Sequence, residues 1–271
     1  MYNLSICAIM RDEPESHIRE WIHYHRLVCV EHFFIYDNGS KIKIVDTLKK
    51  EIDAGFVTVI NFPGSSAQMP AYTNFIYDYG KLTKYAAIID SDEFLVPKTR
   101  NNVPEILEDY DKGHIGSFNV SWVMFGSGGL IEKIPPDKLV IESYTKAMPK
   151  DHIENKHTKA ILIKPGERTL YAGSNPHYCV YKPNYTAVSE DFKPVINAWA
   201  DHKSDKLALH HYCLKSLDNF KEKIAKPRAD KCELQGKTME DFWRFDKDCT
   251  EENTDILKFA TKVKEELKRW I

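Results

Sequence analysis

Four residues in the first half of the chain, Asp90-Ser91-Asp92-Glu93, carry its densest chemistry. Three carboxylates in four positions suit a hard cation, and Asp90 and Asp92 can converge on one ion if the chain bends between them. Mg²⁺ or Mn²⁺ takes such oxygen ligands and shares its remaining positions with substrate phosphates. An Asp-x-Asp triplet alone is a weak signal, because acidic residues after a strand also cap helices and fill solvated turns. A second concentration lies downstream, at His210-His211-Tyr212-x-x-Lys215-Ser216. Its imidazoles can complete a coordination begun by Asp92, while Lys215 and the amino terminus of the following helix suit phosphate.

These residues need a scaffold. Residues 85–89 are continuously apolar, the pattern of a strand buried on both faces, and the acidic cluster follows at the carboxyl end, where open α/β sheets bind ligands. Upstream, residues 4–10, 33–36 and 57–62 read as strands. Residues 15–27 read as a helix with Ile18, Trp21, Ile22 and His25 at helical spacing, and residues 44–52 as a second. The βαβαβ order predicts a doubly wound, mainly parallel sheet with loops 11–14, 37–40 and 90–93 along one edge. Residues 68–82 and 103–110 are expected to be helical, and 117–123 and 160–164 to be strands. The run Phe125-Gly126-Ser127-Gly128-Gly129 lacks dinucleotide-binding spacing and reads as a loop passing close to a ligand, or as a tight turn. Residues 207–211 form an apolar strand ending in the histidine pair, followed by a helix over 217–226. Ile256, Phe259, Val263 and Leu267 predict a carboxyl-terminal helix packed on the domain.

A length of 271 residues suits one large domain or one domain with a small appendage, and a net charge of -2 argues against bulk electrostatic attachment to nucleic acid or anionic lipid. The opening apolar run is too short to span a bilayer and lacks a signal-peptide pattern, so a cytoplasmic protein is expected, with peripheral association at the inner face of a membrane as the alternative. The six cysteines form no Cys-x-x-Cys pair, which fits reduced thiols used in packing.

The ordered set Arg11-Asp12-Glu13, Glu20-Trp21-Ile22-x-Tyr24-His25, Phe34-Ile35-Tyr36-Asp37-Asn38, Asp90-Ser91-Asp92-Glu93-Phe94, Trp122-x-x-Phe125-Gly126 and His211-Tyr212-x-x-Lys215-Ser216 resembles the glycosyltransferase family 2-like and family 92-like enzymes. The resemblance runs from residue 4 to about 230. One departure is Lys226-Pro227-Arg228-Ala229-Asp230, where an Arg-Gly pair is expected. The resemblance implies a Rossmann-like GT-A domain over 1–230, with a nucleotide half at 1–97 and an acceptor half at 98–230, then a helical extension over 231–271.

It also implies a Mn²⁺- or Mg²⁺-dependent hexosyltransferase that uses a UDP- or GDP-sugar and inverts the anomeric carbon. The acceptor would be a glycan or glycolipid in surface polysaccharide synthesis. Metal ligation then falls to Asp90, Asp92 and His211, with His210 as fallback. Donor binding falls to Arg11, Glu13, Asp37, Asp90, Ser91 and Lys215. Acceptor binding falls to Trp122, Phe125, Gly126 and His177, and catalysis to Asp92, Glu93 and Asp191, with Glu190 and Asp151 as further carboxylates able to act as the base. Two other classes compete. A metal-dependent nucleotidyltransferase would carry a glycine-rich basic loop after the first strand, where this chain has Arg11-Asp12-Glu13-Pro14. A non-catalytic sugar-binding protein on a transferase scaffold would be expected to lose Asp90, Asp92 or His211, which are all present.

Overall fold

The computed structural model describes residues 1–225 and 238–270. The Lys226 to Asp230 departure, Cys232 and the boundary expected between 230 and 231 lie outside the described residues. The first half of the chain comprises β1 (Tyr2–Met10), α1 (Glu15–Leu27), β2 (His32–Asp37), β3 (Val57–Asn61), α2 (Gln68–Asp78) and β4 (Thr83–Ile88). It continues with β5 (Glu93–Pro97), α3 (Val103–Leu107), β6 (Ile115–Met124), β7 (Thr158–Ile163), β8 (Thr186–Val188) and β9 (Leu207–His211). Helices α4 (Leu217–Ile224), α5 (Met239–Asp248) and α6 (Ala260–Trp270) follow.

The strands form one sheet in the order β3-β2-β1-β4-β7-β6-β9-β5, with β8 also beside β6. Five of the eight pairings are parallel. The fold is a Rossmann-like α/β architecture: a mainly parallel sheet flanked by helices, with a carboxyl-terminal helix. Strands on both sides of residue 97 share this sheet, so the two halves expected from the sequence are continuous through it.

The apolar strands lack alternation because both faces are buried. Leu4, Ile6, Ala8 and Met10 of β1 enter one core with Phe33, Ile35, Tyr85 and Ala87. Cys7 and Ile9 enter the other with Phe34, Tyr36, Ala86 and Ile88. Successive side chains thus alternate between two dry layers. The first layer is closed by α1 through Trp21 and Ile22 and the second by α2 through Ala71, Tyr72 and Phe75. Helix α6 lies on α1, with Val263 fully buried and the Arg26 guanidinium 4.0 Å from the Phe56 ring that also meets Trp270.

Some expected elements are revised. Residues 44–52 break at Leu48 into Ile44–Thr47 and Lys49–Asp53, and α2 stops at Asp78 before a separate 3₁₀ turn, Gly80–Leu82. Residues 93–97, to which the sequence reading assigns no element beyond the expected loop 90–93, are the edge strand β5. Its free edge is covered by α1: the Trp21 indole donates to the Glu93 carbonyl (2.7 Å), the Tyr24 hydroxyl donates to the Leu95 carbonyl (2.8 Å), and the Leu95 amide donates to His25 Nε2 (3.2 Å). Side chains here satisfy backbone groups that an uncovered edge would leave to solvent.

Candidate active site

The acidic cluster is positioned by a reversal of direction. Strand β4 runs out to the carboxyl edge, the chain turns at Asp90-Ser91-Asp92, and β5 returns antiparallel to β9 with Glu93 opposite His211. The Tyr212 amide donates to the Asp92 carbonyl at 2.9 Å, extending that ladder by one step. Residues 118 positions apart (211 − 93) therefore meet by strand pairing. Strand alternation separates the histidine pair. His211 stands with its Nε2 3.6 Å from Asp92 Oδ1, whereas His210 points into the core against the Phe125 ring at 4.7 Å.

Each aspartate also meets a lysine that the sequence reading did not single out. Lys159, on β7 and fully buried, donates to Asp90 Oδ2 at 2.7 Å and lies 3.5 Å from Glu93 Oε2. Lys223, in the last turn of α4, donates to Asp92 Oδ2 at 2.7 Å and to the Cys213 carbonyl at 3.1 Å. Asp90 Oδ1 accepts from Gln68 (3.1 Å) and the Tyr72 hydroxyl (3.2 Å). Burial pushes the Asp90 and Asp92 carboxyls up, but the ammonium groups of Lys159 and Lys223, respectively, with help from His211, more than offset it, so both are held below the usual range. Glu93 is different. It is fully buried, and burial, reinforced by Asp90 and Asp92 against the pull of Lys159, raises its carboxyl to about 8. Its oxygens accept from the Trp122 indole and the Asp90 amide, each at 2.7 Å.

On one side of Asp92 lies a cleft lined by Glu13, His17, Lys215, Asn219 and Lys223. Lys215 has left-handed backbone (φ 53) and donates to His17 Nδ1 at 3.1 Å. Burial and then the Lys215 charge lower the His17 pKa to about 3, so its ring accepts this bond as the neutral form. On the other side, the Trp122 ring touches the imidazoles of His211, His157 and His177, with centroids 4.2, 4.8 and 5.1 Å away. His177 Nδ1 lies 2.9 Å from the Thr158 carbonyl, which assigns the proton to Nδ1 and leaves the Nε2 lone pair to accept. Burial first, then Lys159, lowers its pKa to about 3. Trp199, which the sequence reading does not single out, lies tilted against His157 with ring centroids 3.8 Å apart and keeps 43% of its surface exposed.

The other expected residues are spread over several places. Asp37 Oδ1 accepts from the Ser40 amide (2.7 Å) and Oδ2 from the Ile44 amide (3.2 Å), so this carboxylate ties down its own loop. Phe125 is fully buried, and a Cβ at Gly126 would come within 2.7 Å of Asp246 and Cys249. What approaches this glycine is therefore α5 and its flank, with Asp246 accepting from the Ser127 amide and hydroxyl at 2.6 and 2.9 Å. The helix terminus expected to suit phosphate is occupied: the Leu217 and Asp218 amides donate to the Leu130 and Ile131 carbonyls, and the Asn219 amide to Ser216 Oγ. Glu190 accepts from the amides of Asp205, Lys206 and Leu207, which puts it and its neighbour Asp191 at the end of β9 away from His211. Asp191 is exposed and paired with Lys193, Asp151 is exposed, and Arg11 is exposed at the end of β1. Ser91 and Glu13 are half-buried, Ser91 in the turn itself and Glu13 at the cleft.

A divalent ion needs several oxygen ligands free to face it. Three of the four oxygens of Asp90 and Asp92 are engaged by Lys159, Lys223, Gln68 and Tyr72, and among the described residues no three His, Cys, Asp or Glu side chains stand where they could hold one metal. Asp90, Asp92 and His211 are brought together, but with an ammonium group on each aspartate the arrangement does not fit such an ion.

A family model described as glycosyltransferase family 92 matches residues 2–264. The chain is 25% identical over 226 residues to a glycosyltransferase family 92 protein of Ricinus communis, covering 82% of this chain and 37% of that protein. It is 29% identical over 146 residues to a family 92 protein of Oryza sativa subsp. japonica, covering 53% of this chain and 24% of that protein. The chain thus spans well under half the length of either relative.

Proposed function

The chain belongs to glycosyltransferase family 92, and on that premise we propose that it moves a hexose from a nucleoside diphosphate donor, UDP or GDP, to a hydroxyl of a glycan or glycolipid acceptor. The observation that carries this reading is the meeting of Asp92, His211, Lys215 and Lys223 at the carboxyl edge of the sheet, beside a cleft. Two cations there face the position of a leaving diphosphate. When the glycosidic carbon–oxygen bond breaks, its electron pair goes to the β-phosphate, and preorganised cations stabilise that developing charge. Lys215 and Lys223 are assigned this role.

The acceptor is placed on the Trp122 side, where neutral His177 offers a lone pair to a sugar hydroxyl and Trp199 an exposed ring for a sugar face. In a single displacement the acceptor oxygen attacks the anomeric carbon, its proton passes to a base on the opposite face, and the configuration inverts. A surface glycan is the proposed product class. Peripheral docking on a membrane is the proposed route to a glycolipid; no helix among the described residues is long and apolar enough to cross a membrane.

A thermal-shift panel of UDP, GDP, CMP and dTDP tests the donor reading. A ligand that binds only the folded state adds about 2.7 kcal/mol at a hundredfold excess over its dissociation constant. Stabilisation by UDP or GDP alone, lost in Lys215→Ala, is the expected result; no shift from any of the four counts against the reading. Incubation with the matching nucleotide sugar and assignment of the product anomer by NMR then tests inversion, and a retained configuration would refute it.

A further inference from the structure

We propose that Lys159 and Lys223 occupy the electrostatic place of a divalent cation, so that this chain binds its diphosphate donor without metal. The proposal rests on the transferase reading for the identity of the diphosphate, and on three observations for the rest. The first is pairing: each aspartate of Asp90-Ser91-Asp92 holds an ammonium nitrogen 2.7 Å from Oδ2, and the two lysines come from separate elements, β7 and α4. The second is fixation. Lys159 is fully buried between Asp90 and Glu93, on the strand face that continues into the core through Ile161 and Ile163, and has no solvated position to retreat to. Lys223 is held by two acceptors, Asp92 and the Cys213 carbonyl.

The third observation is direction. Lys223 lines the same cleft as Lys215, so a cation anchored on Asp92 already faces the space where a diphosphate would lie. Mg²⁺ and Mn²⁺ require several oxygen ligands in a defined geometry. To enter here, an ion would have to displace two ammonium groups from the oxygens it needs, or sit beside them against like charge. The aspartates then act as anchors for the lysines, and the site presents its positive charge through side chains.

The test uses wild-type protein freed of metal with EDTA. Mn²⁺ is titrated in and followed by its electron paramagnetic resonance signal, with protein alone and with UDP or GDP, against nucleotide-only controls. In parallel, UDP and GDP are titrated calorimetrically in EDTA and in Mn²⁺. The expected results are no loss of the free Mn²⁺ signal attributable to protein, equal nucleotide affinity in both buffers, and about tenfold weaker binding in Lys223→Ala. That side chain is partly exposed, so the variant is expected to fold.

Mn²⁺ binding by wild type that disappears in Asp92→Asn, or nucleotide binding seen only with Mn²⁺, overturns the proposal. If neither nucleotide binds in either buffer, the donor reading fails, yet the Mn²⁺ titration of wild type still decides the metal question: no protein-bound Mn²⁺ upholds the lysine substitution, and Asp92-dependent binding refutes it.

Discussion

Two clusters of buried charge in this molecule are built from the same parts and differ in one respect. In the first, Arg19 of α1 bonds Glu51, the Thr47 carbonyl and Glu15, with His23 Nε2 3.4 Å from Glu51. The side chains of Glu51 and His23 are fully buried and that of Arg19 is 10% exposed. In the second, Asp90 and Asp92 keep 32% and 14% of their side-chain surface and Lys223 keeps 36%. The sealed cluster joins α1 to the short helix Lys49–Asp53, with Glu51 and His23 shut off from solvent and only Glu15 and the edge of Arg19 reaching it. The open one stands at the strand ends with its charges paired and one side wet. Pairing therefore does not distinguish a structural ion cluster from a candidate site; access does.

The largest effect expected from breaking this comparison is on stability at the sealed cluster. Glu51→Ala takes the buried carboxylate from the Arg19 guanidinium and leaves it the exposed Glu15 and the Thr47 carbonyl, and removing one partner of a buried pair costs up to about 3–5 kcal/mol. Urea denaturation should show a correspondingly lower midpoint, while the fraction that remains folded binds nucleotide as wild type does. An unchanged midpoint would mean that the cluster is solvated and the contrast with the site unfounded.

The complementary variant is Asp92→Asn at the open cluster. Lys223 can turn to water once its anion is gone, so stability should change by about 1 kcal/mol or less. Sugar transfer should fall about 10²-fold, because the cation facing the leaving diphosphate loses its anchor. Denaturation midpoints and initial rates measured on one preparation check both halves. A large stability loss with normal transfer would reverse the assignment of the two clusters.

This contrast also explains what was legible in the sequence. The strands of the first half were readable because burial on both faces removes alternation, and Asp90-Ser91-Asp92-Glu93 was readable because acids at a buried strand's end stand out. Lys159 and Lys223 were not. Lys159 opens an apolar strand, where a lone lysine reads as a polar edge, and Lys223 sits among other charges on α4. Their importance comes from β4–β7 pairing and from the packing of α4 beside Asp92, both non-local. Strand β5 was hidden for the same reason. Its partner β9 lies more than a hundred residues away, and the α1 side chains that cover its other edge are visible as a motif but not as a contact. The loop bonds of Asp37 were not legible either, because a carboxylate after a strand looks the same whether it meets a ligand or its own loop.

The smallest effect sharpens the comparison at the scale of one residue, in the pair His210-His211, where one ring faces the core and its neighbour the site. His210 is fully buried, its Nε2 has no hydrogen-bond partner among the described residues, and burial lowers its pKa to about 3. A ring that ionises near 6.5 when unfolded and near 3 when folded takes up its proton first in the unfolded chain. Its contribution to stability is therefore fully present above about pH 6.5 and is lost as the pH falls from there towards 3. His210→Phe removes the titration and the orphaned nitrogen while keeping a ring to pack on Phe125. At pH 7.5 the urea midpoint should shift by no more than about 1 kcal/mol equivalent. Between pH 6.5 and 3 the variant should lose stability less steeply than wild type, by up to one proton in the slope, with His17, His25 and His177 still contributing to the remaining acid limb. Parallel curves would show that His210 does not stay neutral in the folded core, and the distinction between the sealed and open faces of β9 would fall with it.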